Sequence, residues 1–198
     1  MLEAFFASTA VVALAEIGDK TMLLAIVLAA RLRAPVQILL GIFVATILNH
    51  ALAALVGQEV AGLLESFWFR LAVALGFVAM AAWTLVPDKL DDDEDDFRHH
   101  GGAFLTTLVA FFIVEMGDKT QVATIALGAH YQSVAVVAMG TTIGMMLANT
   151  PAVLFGEALV KRVSLNHTRL AAALLFLVLG LWQLAKLLGW LGGATTAA

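Results

Sequence analysis

Glu16-Ile17-Gly18-Asp19-Lys20-Thr21 lies within an apolar run, residues 2–30, and its pattern returns 99 positions later as Glu115-Met116-Gly117-Asp118-Lys119-Thr120 within a second run, residues 103–129. Each run exceeds the roughly 20 residues that a membrane-spanning helix needs, and each copy sits near the middle of its run. On insertion scales an ionised side chain at a helix centre costs about 2.5–3.5 kcal/mol, so six of them facing lipid would cost on the order of 15–20 kcal/mol. These groups must therefore face one another, or water.

The remainder of the chain agrees with that setting. Its 198 residues are 62% hydrophobic and only 13% charged, which predicts an all-α, multi-pass membrane protein and excludes an ordinary soluble domain. The lipid bilayer is the expected partner. The formal net charge of −4 comes mostly from one acidic run, so it does not point to nucleic acid. With no cysteine there is no disulfide, thiolate metal site or cysteine nucleophile. No basic stretch precedes the first apolar run, which is read as a retained helix and not a cleaved signal.

Hydropathy predicts six helices, over residues 2–30, 36–57, 67–86, 103–129, 134–159 and 170–191. Arg31, Arg33 and Pro35 close the first, Trp68 and Trp83 flank the third as interface anchors do, and Pro151 is expected to kink the fifth. Between the third and fourth lies a hydrophilic linker, residues 87–102, with Asp91 to Asp96 all acidic. The small-residue tail, 192–198, is expected to be mobile.

The offset of 99 also pairs Phe5 with Phe104, Gly41 with Gly140, Gly57 with Gly156, Arg70 with Arg169, Phe77 with Phe176 and Trp83 with Trp182, without a gap. That is an internal repeat of three helices, residues 1–86 and 103–191. Three is odd, so the second copy is entered from the opposite side and runs inverted, the plan of many secondary transporters. Arg31, Arg33, Lys89, Arg98, Lys161, Arg162 and Arg169 follow helices 1, 3 and 5, whereas the other side carries only Arg70 and Lys186. The positive-inside rule then makes the 88–102 loop cytoplasmic and puts both termini outside.

On a continuous helix Glu16, Asp19 and Lys20 share one face, as do Glu115, Asp118 and Lys119. Inversion brings the two faces together and gathers four carboxylates at one point. Gly18 and Gly117 allow close helix approach there, or local unwinding. Four carboxylates and two lysines leave two negative charges, the complement of one divalent cation. Oxygen donors without thiolate suit Mg²⁺, Ca²⁺ or Mn²⁺. Thr21, Thr120 and Gln121 are candidate additional ligands, and Asn49, His50 and Asn149 fall at matching depth. Without metal, carboxylates this close cannot all stay ionised, so protons bind in its place. Plainer roles stand beside these: ion pairs Glu16–Lys20 and Glu115–Lys119 within one helix, threonine hydroxyls bonded to their own helix, and asparagines that only tie helices together.

The doubled motif resembles the E-x-G-D-K/R-T/S signatures of the transmembrane-protein-165 or Gdt-one family, within the wider cation/Ca²⁺ exchanger group, and the resemblance covers essentially the whole chain. It implies Mn²⁺ and Ca²⁺ transport coupled to protons, with Glu16, Asp19, Glu115 and Asp118 matching the family's cation-binding acids. It further implies a bacterial cytoplasmic membrane, no prosthetic group and no enzymatic activity. Three rivals remain: an exporter of amino acids or other small solutes whose lysines bind a carboxylate, an intramembrane aspartyl protease using Asp19 and Asp118, and a channel.

Overall fold

The computed structural model describes residues 1–86, 101–156 and 165–189. The acidic run, Lys161, Arg162 and the tail 192–198 lie outside the described residues. The elements are α1 (Leu2–Glu16), α2 (Lys20–Leu32), α3 (Pro35–Glu59), a 3₁₀ turn (Val60–Glu65), α4 (Phe67–Thr84), α5 (Ala103–Glu115), α6 (Lys119–Tyr131), α7 (Val134–Phe155) and α8 (Leu165–Leu187). Among the described residues every regular element is helical. Four segments among the described residues are long and apolar enough to cross a membrane: Pro35–Leu63, Phe67–Thr84, Val134–Phe155 and Arg169–Leu187. Pro151 lies inside α7, which ends four residues later, before the 159 that hydropathy suggests.

The two motif-bearing runs are where the structure departs from expectation. Neither is one helix: α1 and α2 are 15 and 13 residues long, α5 and α6 13 each, and every one rises only about 20 Å against a hydrocarbon core of about 30 Å. The break falls within the motif. Ile17 is extended (ψ 109°), Gly18 has φ 87°, and Asp19 is extended again (ψ 170°) as it starts α2. Met116 (ψ 119°), Gly117 (φ 82°) and Asp118 (ψ 167°) repeat this. A left-handed residue with a side chain is strained by about 1–2 kcal/mol, so glycine makes the break cheap in both places. The shared helical face predicted for Glu16, Asp19 and Lys20, and for Glu115, Asp118 and Lys119, is therefore overturned. Hydropathy averages over a window and does not register three non-helical residues.

The N-terminal helices pack chiefly on the C-terminal ones. α1 and α2 lie against α7, α5 and α6 lie against α3, α3 crosses α7, and α4 pairs with α8. Exchanging each helix for the one 99 positions away reproduces the same list. The close approaches are reciprocal too. A Cβ on Gly41 would sit 2.8 Å from the Phe104 carbonyl oxygen, and one on Gly140 2.7 Å from that of Phe5. Phe77 and Phe176 stack on each other with centroids 6.3 Å apart. Both buried clusters draw from either end of the chain, Val12, Ile42, Phe111 and Met145 in one, Val11, Phe77, Leu127 and Phe176 in the other. Among the described residues neither buried cluster is drawn from one set of four helices alone.

Candidate cation site

Each helix break turns its acids inward. Glu16 is the last residue of α1 and Asp19 the N-cap of α2, while Glu115 ends α5 and Asp118 caps α6. Glu16, Asp19 and Asp118 are buried, and one carboxylate oxygen from each lies within 4.8 Å of the others. The Lys119 ammonium donates to Asp19 Oδ1 at 2.7 Å, with both groups buried. The sequence pairs Lys119 with Glu115 on its own helix; in the structure it reaches the other motif copy. Lys20 is half-buried.

The threonines serve the acids. The Thr21 hydroxyl donates to the Glu16 carboxylate. Thr120 donates to Asp118 Oδ2 through both its backbone N–H and its hydroxyl, each at 3.3 Å. Thr124, one turn on, uses its hydroxyl on the Thr120 carbonyl at 2.7 Å, the self-bonding expected of a mid-helix threonine. Among the described residues Glu16 Oε1 and both Glu115 oxygens are buried without a hydrogen-bond partner. A buried acceptor without a partner calls for a bound water, proton or ion.

Glu115 stands apart from the trio. Its Oε2 lies 3.6 Å from His50 Nε2, and the imidazole is fully buried on α3. Sequence reasoning set His50 at the right depth but left it out of the ligand set; the available signal was its relation, by the same 99 positions, to Asn149. The remaining candidates have structural bonds. Asn49 Nδ2 donates to the Phe112 carbonyl at 3.1 Å and ties α3 to α5. Asn149 Nδ2 donates to the Met145 carbonyl on its own helix at 3.1 Å, leaving its buried Oδ1 without a partner among the described residues. Gln121 Oε1 accepts from Gly117 N–H at 2.7 Å and holds the second break in shape.

With all three carboxylates ionised, the trio and the Lys119 ammonium carry two net negative charges, and every donor in the trio is an oxygen. That set suits one hard divalent cation. A cavity of about 290 Å³ opens among α1, α4, α6 and α8, from Glu3, Arg70 and Lys186 at its mouth to Val11, Phe77 and Leu127 at its buried floor. Its wall residues Val73, Leu179 and Gln183 are half-buried, whereas those 99 positions away, Ala172, Met80 and Thr84, are buried.

A helical membrane protein with two broken helices meeting at a buried acidic cluster belongs to the class of ion-moving carriers. The chain matches the family described as "Divalent cation/proton antiporter GDT1" over residues 4–92 and 103–189, and it belongs to that family. It is 46% identical over 175 residues, 88% of this chain and 86% of the relative, to a Vibrio cholerae protein named "Putative manganese exporter". It is 30% identical over 222 residues, 93% of this chain and 96% of the relative, to Arabidopsis thaliana "GDT1-like protein 5". No solved structure matches the chain.

Proposed function

We propose that this protein exports Mn²⁺, with Ca²⁺ as a second cargo, from the cytoplasm in exchange for protons. The cation is held halfway across the bilayer by Glu16, Asp19 and Asp118, with Glu115 completing the four acids. The observation that carries this is the trio itself: ligand atoms from both motif copies, buried and within 4.8 Å of one another. The printed name of the Vibrio relative supports manganese as the cargo.

In this reading α1 with α2, and α5 with α6, are broken spans that join the four long apolar segments to make six crossings. The reciprocal glycine contacts and the Phe77–Phe176 stack support two inverted three-helix repeats, 1–86 and 103–191, around an axis in the membrane plane. The cavity beside Glu3 opens outward, the termini face outside, and the 87–102 linker faces the cytoplasm of a bacterial inner membrane. Alternating access rocks the repeats so that the buried wall at Ala172, Met80 and Thr84 opens as the outer one closes. A cation leaving outward is replaced by protons on the same oxygens, and protonation returns the carrier empty of metal. Asp19 holds the Lys119 ammonium, which speaks against a lysine waiting for a substrate carboxylate.

The test is uptake of labelled Mn²⁺ and Ca²⁺ into proteoliposomes with internal pH recorded. Wild type should move metal only with an opposing proton flux, and Asp19→Asn and Asp118→Asn should each abolish both fluxes. Metal movement without proton movement would mean a channel. Unchanged transport in both variants would remove the trio from the mechanism.

A further inference from the structure

The donor set of the trio does not by itself prefer Mn²⁺ to Ca²⁺, because both accept carboxylate oxygens. What differs between them is their appetite for nitrogen. First-row transition metals accept imidazole, Mn²⁺ the most weakly in their affinity order, whereas Ca²⁺ takes six to eight oxygens. Among the described residues one imidazole is fully buried, that of His50, and neither of its ring nitrogens has a hydrogen-bond partner there. The 3.6 Å to Glu115 Oε2 is too long for a hydrogen bond, and both Glu115 oxygens are unpartnered in the same sense. A nitrogen donor and a carboxylate, both buried and neither satisfied by its neighbour, stand side by side at the helix break that also carries Asp118.

We infer that His50 and Glu115 form a nitrogen-bearing half of the cation site, and that His50 is the residue that favours Mn²⁺ over Ca²⁺. This rests on the transport reading above. The related position on α7 is Asn149, whose amide nitrogen is bonded to the Met145 carbonyl and whose free atom is an oxygen. Nitrogen selectivity therefore resides in the N-terminal helices only. In this inference Glu16, Asp19 and Asp118 supply oxygens to the cation, His50 supplies a nitrogen and Glu115 further oxygen. A hard ion such as Ca²⁺ gains the Glu115 oxygens of the second set but little from its imidazole.

Two measurements on the full-length protein test this. In proteoliposomes carrying labelled Mn²⁺ and Ca²⁺ together, His50→Asn should lower the Mn²⁺ preference by about tenfold or more, with Ca²⁺ flux falling less than Mn²⁺ flux. In purified protein loaded with Mn²⁺ and grown on ¹⁵N-histidine, the electron spin echo modulation should show nitrogen coupled to the metal in wild type and none in His50→Asn. The second reading needs no transport, so it decides the matter even if the variant is inactive. Absence of nitrogen coupling in wild type overturns the inference. So does a variant that keeps the full Mn²⁺ preference, or one that loses proton coupling while that preference stays. Wild type that moves neither cation overturns the transport reading instead.

Discussion

The two motif copies are the same chemistry in nearly the same backbone, yet their side chains have different companions. Asp19 gives its Oδ1 to Lys119 of the other copy; Asp118 caps its own helix by accepting from Thr120. Thr21 serves Glu16, whereas Thr120 serves Asp118. Gly18 is buried and Gly117 exposed. Since φ and ψ match through both breaks, the difference does not come from the hexapeptides. It comes from what surrounds them: Gln121 beside the second copy where the first has Met22, and His50 where the other repeat has Asn149. Motifs that agree at five of six positions thus have unequal companions.

The largest test of that contrast is Asp19→Asn against Asp118→Asn. Removing the Asp19 charge takes away the carboxylate that accepts from the buried Lys119 ammonium, an expected loss of about 3–5 kcal/mol. Asparagine at 118 still caps a helix, so that variant should lose less than about 1 kcal/mol. Thermal unfolding of the purified protein should separate them clearly, and equal losses would mean that the Lys119 pair is not the asymmetric element. Next come the glycines. Alanine at Gly117 would meet nothing within 4 Å, so Gly117→Ala should cost backbone strain alone, about 1–2 kcal/mol. Gly18→Ala should cost at least as much; a negligible loss at either position would show that the break does not depend on glycine. Smallest is Gln121→Met, which gives the second copy the residue found in the first. Loss of the bond to Gly117 N–H should cost about 0.5–1.5 kcal/mol and raise hydrogen exchange at that amide.

Much of this was legible because side-chain identity survives in register. Phe77 and Phe176, or Gly41 and Gly140, can be paired by counting, and reciprocal contact then follows from symmetry. The helix breaks were less legible. Gly18 and Gly117 permitted unwinding without requiring it, and the apolar windows around them read as uninterrupted. The partners of the charged groups were least legible. Periodicity relates Lys119 only to residues three or four away, while Asp19 lies 100 positions distant in the chain. The same applies to His50 and Glu115, on elements that no local pattern joins. Asn49 could be foreseen as a tie between helices, but its acceptor, a backbone carbonyl of Phe112, carries no side-chain signature.

The interleaving of α1 and α2 with α7, and of α5 and α6 with α3, bears on how the protein is made. As the ribosome releases the first four helices, the surfaces that will hold α5 to α8 face lipid or an insertase, with Asp19 still lacking the lysine that neutralises it. Maturation must wait for the last helix to arrive. A chain halted before residue 103 should then be degraded, whereas the two pieces of a chain cut between residues 87 and 102 should reassociate when expressed together, since the contacts described join one piece to the other.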